Sequence, residues 1–338
     1  MSEPDRLRPL VVDTHTHSGT FLPGVPGRVY KALPRKSRPA DITFAEAHAA
    51  GVDVLVAKAV GDPIVTRWHF RPPWQAVQNQ LDAIRKEAAD AGARLVTTAD
   101  EIRQAFADGV LAVVLGLEGA DAVGTDLDKL ATLADDGVRV IVPVHLGHNR
   151  VGTTCLPWQR YVGPLPVRRQ PPGLTDFGKE LVAAMNEHGI VIDGSHADEP
   201  TLLGMIERSA APVICSHAGA QAVSSFARYL SDDAIRAVAA SGGVIGLWPY
   251  YSLGKGTPSL ADVAAHARHV ADLVGPRHVC IGTDMNGVPG VADGYRDERD
   301  IPILAECLRQ AGFDDDELAG ILGENFLRVL KAVTALSH

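Results

Sequence analysis

The chain has 338 residues, 46% of them hydrophobic and 22% charged, an ordinary globular composition with enough apolar material for a large core. Its 32 Lys and Arg against 41 Asp and Glu leave a net charge of −9, which argues against a nucleic-acid partner, because phosphate binding needs a basic face. Only the stretch 28–39 is locally basic, and it reads as a solvated loop.

No run approaches the roughly 18 apolar residues of a membrane span, and the opening MSEPDRLRPLVV lacks a signal-peptide core, so neither a membrane anchor nor a leader is expected. The four cysteines, Cys155, Cys215, Cys280 and Cys307, form no C-x-x-C pair. Cys215 and Cys280 lie inside apolar runs, where a free cysteine acts as a small hydrophobe. The expectation is a reduced, cytoplasmic protein without a cysteine-rich zinc site.

Eight apolar runs recur along the chain, at 9–12, 52–60, 111–118, 138–145, 189–196, 211–217, 242–248 and 278–284. The first is followed by a long connection at about 18–42 that carries Pro and Gly and ends in Asp41, a candidate N-cap for the helix TFAEAHAAG. Helical patterns follow at 74–92, 98–109 and 126–137, each ending in glycine. A further helix spans 174–189, with Thr175 as N-cap and Gly189 as stop. DEPTLLGMIERS, SDDAIRAVAASGG and LADVAAHARHVADLVG fill the later gaps, and DDDELAGILGENFLRVLKAV closes the chain. Eight strands alternating with helices predict one (β/α)8 TIM barrel over 1–338, with a long loop at about 147–173 after the fourth run. A doubly wound open sheet is the alternative; the first turn lacks its G-x-G-x-x-G.

In such a barrel the chemistry sits at the carboxyl ends of the strands. Here those ends carry His15 and His17, Glu118, His145, His196, His217 and Asp284. The remaining eight histidines fall on loops, helices or a strand's first residue and read as surface or capping groups. Residues two apart on a strand face one side, so His15 and His17 can reach a common ion. Imidazoles and a carboxylate that leave one coordination position open suit a hydrolytic zinc site. Two ions can share a bridging carboxylate and a bridging hydroxide. His15, His17 and Glu118 make one set, and Glu118, His196 and His217 the other.

Around these residues stand GLEGADAV (116–123), VRVIVPVHLGHN (138–149), GLTDFGKELVAAMNEHGIVIDGSH (173–196), APVICSHAGAQAV (211–223), HVCIGTDMNGV (278–288) and ILGENFLRVL (321–330). These segments resemble the membrane dipeptidase (renal dipeptidase, peptidase M19) family of the amidohydrolase superfamily. The resemblance implies a zinc-dependent dipeptidase with two divalent ions and a small dipeptide substrate. It implies His15, Glu118, His196 and His217 as metal ligands and His145 at the substrate carbonyl oxygen. It further implies Asp284 for proton transfer and Arg228 for the dipeptide carboxylate. One departure stands out: the family has His-x-Asp on the first strand, and here the second position is His17. Another binuclear amidohydrolase, acting on a cyclic amide, lactone or acyl-amino acid, stays open, as does a non-catalytic metal-binding protein. A homodimer is also open.

Overall fold

Buried on both faces, the strands of a closed parallel sheet read as near-continuous apolar runs, and those runs become strands here. The computed structural model describes residues 8–19, 22, 24, 41–163 and 165–336. Its strands are β1 (Val12–Thr16), β2 (Val54–Val60), β3 (Arg94–Leu95), β4 (Ala112–Glu118), β5 (Val138–Val142), β6 (Val191–Asp193), β7 (Val213–Ala218), β8 (Ile245–Leu247), β9 (Tyr251–Ser252), β10 (Lys255–Gly256) and β11 (Val279–Ile281). Eight of them pair in parallel in the order β1-β2-β4-β5-β6-β7-β8-β11. The ring closes at its carboxyl end, where the Asp284 N–H donates to the His15 carbonyl (2.8 Å) and the His17 N–H to the Met285 carbonyl (3.0 Å). Helices cover the outside, as the (β/α)8 pattern requires. β3 adds at the edge of β4, and β9 and β10 form a small antiparallel hairpin; neither was legible as a strand.

Alternation along each strand divides the apolar residues between two cores. Val12, Val54, Val56, Val114, Val140 and Ile214 join a cluster with Phe326, Leu327 and Leu330 of the last helix, Asn325–Thr334. Their neighbours Leu55, Ala57, Val113, Leu115 and Ile141 pack instead with Leu81 and Ile84 of the helix Pro73–Asp90.

The first strand begins later than expected and takes in the polar Asp13, Thr14, His15 and Thr16. Those side chains are tolerated because they are bonded: the Asp13 carboxylate accepts from the Thr283 N–H (3.0 Å) and hydroxyl (2.5 Å) and from the His15 N–H (3.1 Å). The helix cap expected at Asp41 falls on Thr43. Thr43 forms a reciprocal capping box with Glu46 ahead of the helix Phe44–Ala49, which satisfies two orphan N–H groups where Asp41 would satisfy one. Thr175 caps the helix Asp176–Glu187, as the sequence predicts. The helix Ile301–Gln310 was not anticipated, although Ile301, Leu304, Ala305 and Leu308 have helical spacing and are buried. His266 and His278, expected at the surface, are buried; each caps a backbone group, His266 accepting from the Ala220 N–H (2.9 Å) and His278 bonding the Gly243 carbonyl (2.8 Å). The basic stretch 28–39, most of the 18–42 insertion and His338 lie outside the described residues. Among the described residues, no helix is long and apolar enough to cross a membrane.

Candidate metal centre and active site

Two strands that carry site histidines are locally irregular. The pairing of β1 with β2 shifts between Asp13 and Thr16, and that of β7 with β8 between Cys215 and Ala218. Bulges of this kind re-aim side chains, and the one in β7 lets the neighbouring Ser216 and His217 meet side chain to side chain.

The imidazoles converge on Glu118, which ends β4. His15 Nε2 lies 3.3 Å from Glu118 Oε1, His196 Nε2 3.2 Å and His217 Nε2 3.8 Å. His17 Nε2 lies 3.3 Å and His145 Nε2 3.4 Å from Oε2. His196 and His217 stand 3.0 Å apart through their Nε2 atoms. Zinc–nitrogen bonds of about 2.0–2.1 Å at tetrahedral angles place ligand atoms roughly 3.3–3.4 Å apart, which is the spacing seen. His15 Nε2 and Glu118 Oε1 are buried and have no hydrogen-bond partner, an arrangement costly without a cation between them. Both sequence-derived sets are therefore assembled: His15, His17 and Glu118, and Glu118, His196 and His217. Glu118, His145 and His196 also lie within common reach of an ion. The donor set, imidazole with carboxylate, fits a divalent ion of the zinc type.

A second layer orients these rings. His17 Nδ1 bonds the Lys58 carbonyl (2.9 Å), and His145 Nδ1 bonds Asp62 Oδ2 (2.5 Å). His15 Nδ1 and His217 Nδ1 both meet Ser216 Oγ, at 2.9 and 3.0 Å. Beneath them the buried Lys58 ammonium bonds Asp193 Oδ2 (2.5 Å). Burial opposes ionisation of Asp193, but Lys58 and His15 hold it down at about 2.

The charges divide the centre. Burial opposes ionisation of Glu118, yet His145 and His15 keep it well below the usual carboxylate range. Burial also works against the His17 imidazolium, but bonds to Asp284 and Glu118 push it up to about 10. His196 and His217 are held neutral, well below the ordinary value, by burial together with Arg228 and neighbouring imidazoles.

Asp284 sits over the first pair, its Oδ1 3.3 Å from His17 Nε2 and 3.9 Å from His15 Nε2. Its φ of +56° is a left-handed conformation that costs a non-glycine residue energy, and such outliers cluster at functional sites. Gly287 makes room for it: a Cβ there would collide with Asp284 and His17. Arg228 is buried over the Trp248 ring (4.9 Å) and bonds the carbonyls of Ser195 and His217, beside the second pair. The long loop at about 147–173 touches the site: the Cys155 N–H (2.9 Å) and Thr154 hydroxyl (2.9 Å) both donate to the His196 carbonyl.

Sequence reasoning missed Lys58, Asp62, Asp193, Ser195 and Ser216. Lys58 was detectable as a lone charge inside the apolar run VLVAKAV, and the serines as the twin Ser-His pairs of GSH and CSH. Asp62 reads only as the cap before Pro63.

A closed parallel barrel with a histidine–carboxylate cluster at its carboxyl mouth has the layout of a metal-dependent hydrolase. The model of the membrane dipeptidase family (peptidase family M19) matches residues 35–338, and the chain belongs to that family. It is 32% identical to the dipeptidase aclJ of Aspergillus oryzae over 226 residues, 66% of this chain and 51% of that protein. It is 30% identical to the uncharacterized dipeptidase C965.12 of Schizosaccharomyces pombe over 244 residues, 70% of this chain and 57% of that one. The alignments thus span little more than half the length of these curated relatives. Among solved structures, the fold matches the probable dipeptidase PvdM from Pseudomonas aeruginosa with a TM-score of 0.82 at 20% identity, over 98% of this chain and 96% of that one. It also matches a metallo peptidase from Rhodobacter sphaeroides, solved with a phosphinate mimic of the dipeptide L-Ala-D-Ala, with a TM-score of 0.81 at 23% identity, over 97% of this chain and all of the other.

Proposed function

We propose that this chain is a dipeptidase that holds two divalent ions, zinc by its donor set, and hydrolyses the peptide bond of small dipeptides. The observation that carries the reading is the ring of imidazole nitrogens around the single buried carboxylate of Glu118, at ligand-to-ligand spacing. His15, His17 and Glu118 would hold one ion, and Glu118, His196 and His217 the other. When bound, the ions supply an activated water and polarise the scissile carbonyl.

The chain's own groups do the rest. Asp284 takes a proton from the attacking water and passes it to the leaving amine. His145, oriented by Asp62, donates from Nε2 to the carbonyl oxygen as charge builds there. Arg228 binds the free carboxylate of the dipeptide, the contact that separates a dipeptide from a longer peptide. The four cysteines are free, as the proposed reducing, cytoplasmic setting would leave them.

The test is amino-acid release from a dipeptide library by metal-stripped protein, before and after addition of zinc, with elemental analysis in parallel. Activity restored at close to two equivalents supports the reading. A Glu118→Gln protein that keeps both its metal and its turnover would remove the bridge from it.

A further inference from the structure

Ser216 touches both halves of the centre through one oxygen. Its Oγ lies 2.9 Å from His15 Nδ1 and 3.0 Å from His217 Nδ1, and these two rings belong to different ligand sets. On its other side it meets Ser195 Oγ at 3.2 Å. Ser195 Oγ in turn meets Asp193 Oδ1 at 2.5 Å. All five side chains are buried.

Donor and acceptor roles along this chain are fixed from the far end. A carboxylate only accepts, so the Ser195 hydroxyl donates to Asp193. Ser195 Oγ accepts from the His217 N–H (3.2 Å) and, with its second lone pair, from the Ser216 hydroxyl. Ser216 has then spent its one proton, and its lone pairs face the two imidazoles at 2.9 and 3.0 Å, with the Lys58 ammonium, which bonds Asp193, farther off at 3.3 Å. In this arrangement each ring carries its proton on Nδ1, which leaves each Nε2 lone pair aimed at the Glu118 side.

We propose that Ser216 is a positioning residue shared by the two metal half-sites, a single hydroxyl that sets the tautomer of one ligand in each. The proposal rests on the metal-centre reading above and adds to it that the two half-sites are coupled through one side chain. The backbone is built to hold this oxygen in place. The Thr14 hydroxyl donates to the Ser216 carbonyl (3.0 Å), and the Ser216 N–H donates to Asp193 Oδ1 (3.0 Å). A Cβ at either Gly246 in β8 or Gly282 just past β11 would collide with the Ser216 carbonyl, so glycine at both positions admits it. Lys58 competes with this arrangement, since its Nζ also lies 3.3 Å from Ser216 Oγ. Lys58 Nζ is 2.9 Å from His15 Nδ1, and if it donated there the His15 proton would move to Nε2 and the ring could not bind an ion.

Two measurements on the full chain decide the matter. The first is nitrogen NMR of protein labelled with 15N-histidine, stripped and reloaded with Zn²⁺. The proposal requires His15 and His217 both to be protonated at Nδ1 with Nε2 unprotonated; a proton on Nε2 of either ring overturns it. The second is a two-site zinc titration of Ser216→Ala by competition with a chelator. Loss of an outer-shell partner typically weakens metal affinity by about 10–100-fold, and here both sites should weaken together. Ser195→Ala, which leaves the shared oxygen in place, should weaken them less. Weakening of one site alone, or of neither, overturns the proposal. If Ser216→Ala does not fold, the spectra of the unmodified protein still decide. Unmodified protein that takes up no divalent ion overturns the metal-centre reading and the proposal with it, whereas normal uptake with an indifferent Ser216→Ala overturns the proposal alone.

Discussion

Asp62→Asn separates the two roles that geometry leaves to His145. The Asp62 carboxylate works in two directions: Oδ1 accepts from the Ile64 N–H (2.7 Å) and the Val65 N–H (3.2 Å), capping a helix, while Oδ2 bonds His145 Nδ1 (2.5 Å). Both residues are buried, with 2% and 8% exposure, so solvent screens the pair little. Asparagine caps helices about as well as aspartate, and the two capping N–H groups keep its oxygen where Oδ1 is. Its NH₂ then faces His145 Nδ1, which must accept, and the ring's only proton goes to Nε2. If His145 donates to the substrate carbonyl, that proton is in the right place but the charge-assisted bond to the carboxylate is gone. Bonds of this type contribute about 1.5–3 kcal/mol, so kcat/KM for a good dipeptide should fall roughly 10- to 150-fold. Metal content should not change, and the melting temperature should move little. If His145 instead binds an ion together with Glu118 and His196, the protonated Nε2 expels it. Loss of an equivalent of metal in Asp62→Asn would refute the donor role, and unchanged kcat/KM would refute the positioning argument.

Removing the buried guanidinium in Arg228→Ala should raise KM for dipeptides by a similar factor, about 10- to 150-fold, and affect dipeptide amides much less; equal losses on both would show that only the bonds to the Ser195 and His217 carbonyls mattered. Asp284→Asn keeps the shape but cannot carry a proton, so kcat should fall by about 10²–10⁴ with metal content nearly constant, and retained turnover would pass the role to His145. His17→Asp adds an anion to the shell, so the weaker metal should bind more tightly and the acidic limb of the kcat/KM profile should move to higher pH; no change in either would show that charge at this position does not control the centre. His266 is depressed to about 4 by burial, so its stabilising contribution is complete above the unfolded value near 6.5 and is lost as pH falls through that window. Urea unfolding at pH 5 should therefore show about 2 kcal/mol less stability from this residue than at pH 7, and His266→Gln should remove that part of the slope.

The barrel was legible because period and count both survive in a single sequence. Runs such as VDVLVAKAV and LAVVLGLE are long, apolar and regularly spaced, and each became a strand of the closed sheet. The candidate ligands were legible for the same reason: a histidine or carboxylate at the end of such a run has few other places to point. The supporting layer was not. Ser216 and Asp193 matter only because bulges and sheet closure bring residues far apart in sequence to one spot, and no local pattern records that. The cap at Thr43 and the helix Ile301–Gln310 were missed differently, since T-x-x-E and a helical apolar stripe were both present to be read.

The centre is electrically lopsided, and the lopsidedness bears on how a substrate would lie. At its floor the Lys58 ammonium and Asp193 carboxylate cancel. Above that floor the two pairs of rings face opposite charges. His15 and His17 lie against the Asp284 carboxylate. His196 and His217 are held neutral partly by the Arg228 guanidinium beside their strand ends. A dipeptide is itself a dipole, with an ammonium at one end and a carboxylate at the other. Of its two orientations in this field, one sets the carboxylate toward Arg228 and turns the ammonium end away from it, whereas the other pairs like with like at both ends. On the proposed function, the first would set the scissile amide over Glu118 with Asp284 on the side where a proton has to travel. If the chain is the dipeptidase proposed above, the buried Arg228 cation beside His196 and His217 and the partly buried Asp284 carboxylate beside His15 and His17 would together select both the direction of binding and the group that serves the leaving amine.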